Sequence, residues 1–169
     1  MNKDELRNLQ SPLKQKYREQ PDTALVTLKA TGRIGEGITC KIDTGKALAK
    51  AGLHPATGGN GLSVCSGDML LEALCACAGV TMGAVATSIG VKLDDAVIRA
   101  EGDLDFRGTL GVSKEVPVGF QKIRLYFDLK TDAPKEMLDT LIKLTERYCV
   151  VYQTLRRSPE FEISYEVKN

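Results

Sequence analysis

The stretch SGDMLLEALCACAGVTMGAVATSIG, residues 66–90, constrains this chain more than any other. No charged residue occurs between Glu72 and Lys92. The apolar side chains Met69, Leu70, Leu71, Leu74, Val80, Met82, Val85 and Ile89 fall on every side of a helical wheel. A helix that is apolar all round is buried all round. Ser66 is suited to be the N-cap, Asp68 suits the positive end of the helix dipole, and Gly90 ends the run. Gly79 and Gly83 form a GxxxG step that another backbone can approach closely. A membrane crossing is disfavoured. The charge-free run is mostly Ala, Gly, Thr, Ser and Cys, charges flank it, and the sequence holds no second such segment.

The chain has 169 residues, enough for one domain with a full core. Lys and Arg number 23 against 22 Asp and Glu, so the net charge is +1. That balance gives no electrostatic reason for nucleic acid or an anionic membrane as partner, and the absence of Trp argues against base stacking. The N-terminal MNKDELRNLQSPLKQKYREQ lacks the apolar core of a secretory signal. Five irregularly spaced cysteines imply no disulfide framework. The expectation is a cytoplasmic protein with reduced thiols.

Residues 1–20 read as a polar helical arm, with Leu6, Leu9, Leu13 and Tyr17 at helical spacing, and residues 21–169 as a single domain. Alternation over 24–33 and again over 38–42, around Gly35-Glu36-Gly37, predicts a hairpin with Arg33 at its bend. Residues 45–61 predict a short helical piece and then a Gly-rich loop, whose glycines let the backbone pass close to the long helix's N-terminus. His54, the single histidine, lies in that loop before Pro55 and is a poor metal ligand by itself. A strand near 96–106, a cleanly alternating strand over 120–130, a second helix over 134–151 and a final strand over 161–167 follow. The order predicts an α+β fold with antiparallel sheet packed on helices. One sheet covers one side of the apolar helix, and a second subunit is the simplest cover for the other.

The thiols carry the chemistry. Successive helix residues are about 100° apart, so Cys75 and Cys77 diverge by about 200° and cannot bridge each other. Nor do they form half of a zinc site, which would need paired CxxC spacings on turns. Cys149, near the end of the second helix, could meet a thiol of the first helix across the core. A helix C-terminus, however, disfavours a thiolate there. Cys40, Cys65 and Cys75 read as packing residues. Cys77 lies several turns from its own helix N-terminus, so a thiolate there would need a cation. Arg33 is the candidate, its guanidinium held by Asp68 or Glu36. Composition and spacing alone leave Cys77 and Cys149 open between packing and redox chemistry.

Three places resemble the OsmC/Ohr family of thiol-dependent hydroperoxide reductases. MLLEALCACAGV (69–80) is similar to the family's central-helix motif, with Cys77 at the reactive cysteine. YCVVYQTL (148–155) is similar to the motif around the resolving cysteine, which falls on Cys149. KATGR (29–33) is similar to the hairpin bearing the active-site arginine, here Arg33. The resemblance implies an OsmC-like α+β fold, with antiparallel sheets wrapped around two long central helices in an intertwined homodimer. It also implies active sites with a small apolar pocket near the subunit interface. Its implied activity is peroxidase chemistry of the antioxidant, stress-response kind. A Cys77 thiolate reduces an organic hydroperoxide, a Cys77–Cys149 disulfide forms, and an external dithiol or lipoyl-type reductant resolves it, with no metal or organic cofactor. Uncharged walls at Ala73, Val80 and Thr81 would favour an alkyl peroxide. Two positions depart from the family. Val150 stands where Pro commonly follows the second cysteine. Gly67 stands where the hydroperoxide-resistance branch has Glu, which makes the adjacent Asp68 the substitute partner for Arg33. The alternative is a non-catalytic small-ligand-binding or redox-sensing protein of the same fold.

Overall fold

The computed structural model describes residues 2–20, 31–34, 39–43, 48–111 and 113–168. Helix α1 spans Lys3–Glu19. A reciprocal pair of bonds starts it: the Asn2 N–H donates to Glu5 Oε2 and the Glu5 N–H donates to Asn2 Oδ1, both at 2.9 Å. This is a capping box built on Asn, and it satisfies two backbone donors that a helix start leaves unpaired.

Strands β1 (Thr31–Ile34), β2 (Thr39–Asp43), β3 (Leu48–Gly52) and β4 (Val64–Cys65) form one sheet in that order. The first two pairings are antiparallel and β3–β4 is parallel. Arg33 lies within β1, opposite Lys41, and not at a bend. Residues 24–30 and Glu36, which carried part of the hairpin expectation, lie outside the described residues. The helical piece expected after Gly45 is instead β3. Ala, Leu and Lys favour a helix locally, but Lys50 pairs with Lys41 in the sheet, and tertiary pairing outweighs weak propensity.

A single 3-10 turn, Pro55–Thr57, follows, with His54 as its N-cap. His54 Nδ1 accepts the Ala56 N–H at 3.0 Å, and its ring stacks on Phe106 with centroids 4.9 Å apart. The histidine therefore organises the loop. Gly59 passes so close to the chain that an added Cβ would lie 1.8 Å from the Leu53 carbonyl oxygen. Gly59→Ala is expected to lower stability by at least about 1 kcal/mol, because the obstacle is backbone and cannot rotate away. Chemical denaturation of the reduced protein measures it.

Helix α2 spans Ser66–Ile89 and ends at Gly90, whose φ of 77° suits the left-handed cap. Cys65, not Ser66, is its N-cap, and it makes no side-chain capping bond. Among the described residues α2 is the one helix long and apolar enough to cross a membrane. Leu74, Ala78, Met82, Val85 and Ala86 form its buried stripe, at the spacing of one helix face. The opposite face is covered only in part, by α1, and Val80 is 76% exposed. Burial all round is therefore not reached within the described residues of one chain. Nor does a backbone approach the GxxxG step among the described residues: a Cβ on Gly79 would touch the Ile98 side chain, and one on Gly83 would meet nothing described within 4 Å.

Strand β5 (Asp95–Leu104) pairs antiparallel with β6 (Phe120–Lys130). Their inner residues lie against α2, and their outer face carries charge. There Arg124 donates to both Asp103 oxygens at 2.6 Å and to Glu101 at 3.0 Å. Phe106, expected to continue the strand, instead begins the short helix α3 (Phe106–Thr109), whose N-cap Asp105 accepts the Arg107 N–H. Helix α4 (Lys135–Tyr148) packs Leu141 on Met82, Val85, Ala86 and Val91. Tyr148, in its last turn, is exposed. The chain then breaks at Cys149 and resumes as α5 (Val150–Arg156). The final strand expected over 161–167 is not formed. Phe161, Ile163, Tyr165 and Val167 alternate as the sequence suggests, but they stand exposed with no strand partner among the described residues.

Candidate active site

The break between α4 and α5 organises the site. Cys149 adopts an extended conformation, with φ −70° and ψ 108°, between two helices. Its N–H donates to the Thr145 carbonyl at 2.9 Å, which closes α4. Its own carbonyl accepts the Gln153 N–H at 3.0 Å, which opens α5. The Gln153 side chain also donates to the Glu146 carbonyl at 2.7 Å, satisfying an acceptor that the end of α4 would leave unpaired. Cys149 is thus both the C-cap of α4 and the N-cap of α5, so the start of a new helix, and not only the end of an old one, faces the site. The N–H groups of Val150 and Val151 point out of the start of α5 and are free to bind a negative atom.

That atom is the sulfur of Cys77. α2 and α5 are packed together, and Cys77 lies against the cluster formed by Leu74, Ala78 and Cys149. Partial burial alone would push the Cys77 thiol up. The Val151 N–H, the Cys149 thiol, the Val150 N–H and the Thr81 hydroxyl bond to its sulfur and outweigh that cost. Cys77 is therefore held below the ordinary thiol value. Cys149 moves the other way. It is 0% exposed, and burial, followed by its contact with the Cys77 sulfur, pushes its thiol up against the bonds from Tyr152 and Val151. The two thiols are thus shifted in opposite directions, Cys77 down and Cys149 up. Both are free thiols.

Cys77 and Cys149 are brought together. The other expected site residues are not shown with them. Arg33 is on β1, and its side chain lies outside the described residues. Asp68 is exposed in the first turn of α2, nine residues before Cys77, and makes no ion pair among the described residues. Cys75 is half-buried and outside the cluster around Cys149. Sequence reasoning missed the Val150 and Val151 amides and the Thr81 hydroxyl. Backbone donors leave no mark in side-chain identity. Thr81, one turn after Cys77 on the same face, was legible from the i, i+4 spacing.

Two cavities of about 510 Å³ each lie near the pair, lined by its neighbours and by neither cysteine. One lies beside Cys149 over Leu74, Ile123, Leu125, Phe127 and Tyr152, and Lys122, Glu146 and Arg156 also line it. The other lies between α1 and α2 and includes Thr81. Among the described residues no group of three or more His, Cys, Asp or Glu is placed to hold a metal.

The model of the family described as "OsmC-like protein" matches residues 58–164, more than half of the chain. Solved structures agree in fold. An OsmC-like protein from Mycoplasma pneumoniae superposes with a TM-score of 0.67 at 14% identity, covering 79% of this chain and 89% of that one. An organic hydroperoxide resistance protein from Legionella pneumophila gives 0.62 at 18% identity, covering 79% and 91%. The organic hydroperoxide resistance protein OhrB of Bacillus subtilis gives 0.53 at 21% identity, covering 79% and 93%. No curated protein matches the sequence. The family match takes in the end of the Gly-rich loop, the helix that carries Cys77 and the break at Cys149, and the chain belongs to the OsmC-like family.

Proposed function

We propose that this protein is a thiol-dependent peroxidase that reduces organic hydroperoxides. The observation that carries the reading is the packing of the partly buried Cys77 on the buried Cys149 at the α4–α5 break, where Cys77 is lowered and Cys149 raised. The Cys77 thiolate attacks the terminal oxygen of ROOH, and the O–O bond breaks. Cys77 becomes a sulfenic acid, and RO⁻ takes a proton to leave as an alcohol. The Cys149 thiol then condenses with the sulfenic acid, releasing water and forming the Cys77–Cys149 disulfide. An external dithiol, such as a lipoyl group, reduces that bond by exchange and leaves as its own disulfide. No metal or organic cofactor enters these steps. Arg33 assists from β1, with Asp68 as its carboxylate partner. Reduced thiols suit the cytoplasm. Turnover of tert-butyl hydroperoxide with dithiothreitol as reductant tests the reading. Saturable, protein-dependent consumption is expected. A rate no greater than that of free cysteine contradicts it and favours a ligand-binding role.

We also propose that the working unit is a homodimer. What supports it is the exposed alternating segment from Phe161 to Val167, where Ile163 is 95% exposed. Such a segment is suited to add as a strand to a second copy. Ile163→Asp combined with Tyr165→Asp is expected to convert a dimer to a monomer in light scattering. A monomeric wild-type protein contradicts the proposal.

A further inference from the structure

The two cavities beside the thiol pair differ in chemistry. The one beside Cys149 is lined in part by Lys122, Glu146 and Arg156. The one between α1 and α2 has no charged residue among its described lining: Leu6 and Gln10 come from α1, and Val80, Thr81, Ala84 and Ser88 from α2. Its volume of about 510 Å³ lies within the ordinary range for small-molecule sites, about 300–1,000 Å³. Thr81 belongs to both places, since its hydroxyl bonds to the Cys77 sulfur while the residue lines this cavity. Thr81 follows Cys77 by one helical turn on the same face of α2, so the cavity opens one turn from the reactive thiol.

We propose that the N-terminal helix α1 forms the outer wall of the site for the uncharged organic group of the hydroperoxide, and that Leu6 sets how long a chain fits. The inference rests on the peroxidase reading and adds to it which of the two cavities takes the alkyl group and which residue limits it. An alkyl group gains by leaving water for Leu6, Val80, Ala84 and Val85, and it meets no charge that it would have to desolvate. The same group in the other cavity would lie against Lys122, Glu146 and Arg156. The peroxide end would then face Thr81 and Cys77. The capping box of Asn2 and Glu5 fixes the first turn of α1 and with it the height of Leu6.

The test measures the rate of Cys77 thiol loss in the reduced full-length protein with n-decyl hydroperoxide and with tert-butyl hydroperoxide, and reads their ratio. Leu6→Trp fills the cavity, and removal of residues 1–20 takes away its wall. Both are expected to lower the decyl-to-tert-butyl ratio at least fivefold. Leu155→Trp, which fills the other cavity, leaves the ratio within twofold. The proposal is overturned if neither change at α1 moves the ratio, or if Leu155→Trp moves it instead. Binding of 1-decanol, followed by NMR, needs no redox step. If decanol binds and Leu6→Trp weakens it at least fivefold while no hydroperoxide oxidises Cys77, the cavity stands and the peroxidase reading falls. If hydroperoxides oxidise Cys77 but decanol binding is unaffected by Leu6→Trp, the peroxidase reading stands and the α1 site falls.

Discussion

Cys77→Ser is expected to abolish hydroperoxide reduction, whereas Cys149→Ser is expected to permit a single turnover and then stop. The two sulfurs touch the same reaction at different steps, and their surroundings say which acts first. Cys77 receives N–H bonds from the start of α5 and a hydroxyl bond from Thr81, so its charged form is favoured. A serine hydroxyl in the same place does not ionise near neutral pH and cannot attack an O–O bond at a useful rate. The expected loss is at least about a thousandfold, the scale on which removing a nucleophile acts. Cys149 is fully buried, and its thiol is pushed up. It is poorly suited to attack a peroxide but well placed to condense with an oxidised neighbour. In the Cys149→Ser protein, one equivalent of hydroperoxide should give one equivalent of alcohol. Cys77 should then be found as sulfenic acid or its further oxidation products, without a disulfide. Rapid-quench alcohol yields and intact-protein mass measure both variants. Full steady-state activity in Cys77→Ser contradicts the assignment.

Val150→Pro is expected to slow the attack of Cys77 about tenfold at neutral pH with little loss of fold. Val150 is the first residue of α5, where proline is tolerated and the N–H has no partner within the helix. Cys149 before it is already extended, as the residue preceding a proline prefers to be. The substitution therefore removes one bond that matters, the donor to the Cys77 sulfur. A hydrogen bond to a charged acceptor is worth about 1.5–3 kcal/mol, or about tenfold or more in the thiolate population. The sign follows from the chemistry. Cys77 is lowered, so its reactivity persists at pH values below the ordinary thiol range and is lost as the pH falls through its own value. Removing a donor moves that midpoint up. The rate of iodoacetamide alkylation against pH, in wild type and Val150→Pro, measures the shift. An unchanged midpoint means that the α5 amides do not hold the thiolate.

The elements that chemistry writes into side chains were legible from the sequence. From Ile123 on, strand β6 alternates in sequence, and Ile123, Leu125, Phe127 and Leu129 are partly buried, as their period requires. Helix α2 was marked by its charge-free run and by Gly90. What could not be read was backbone geometry. ERYCVVYQTL is compatible with one unbroken helix, so the turn of the chain at Cys149 was invisible. With it went the α5 amides that lower Cys77. Residues 48–52 had helical composition, and only pairing with β2 made them a strand. The alternation from Phe161 to Val167 was read correctly as a pattern, but a strand needs a partner, and none is present among the described residues. Arg33 illustrates the limit from the other side. Its position was found by resemblance, yet the donors described at the sulfur are the Val150 and Val151 amides, the Cys149 thiol and the Thr81 hydroxyl.

The most direct measurement treats the reduced protein with one equivalent of an organic hydroperoxide, counts the remaining free thiols and maps any disulfide by peptide mass spectrometry. The expected result is rapid loss of two thiols with a Cys77–Cys149 link, while Cys40, Cys65 and Cys75 stay reduced. Slow or scattered oxidation across the five cysteines, or a link that omits Cys77 or Cys149, would contradict the peroxidase reading.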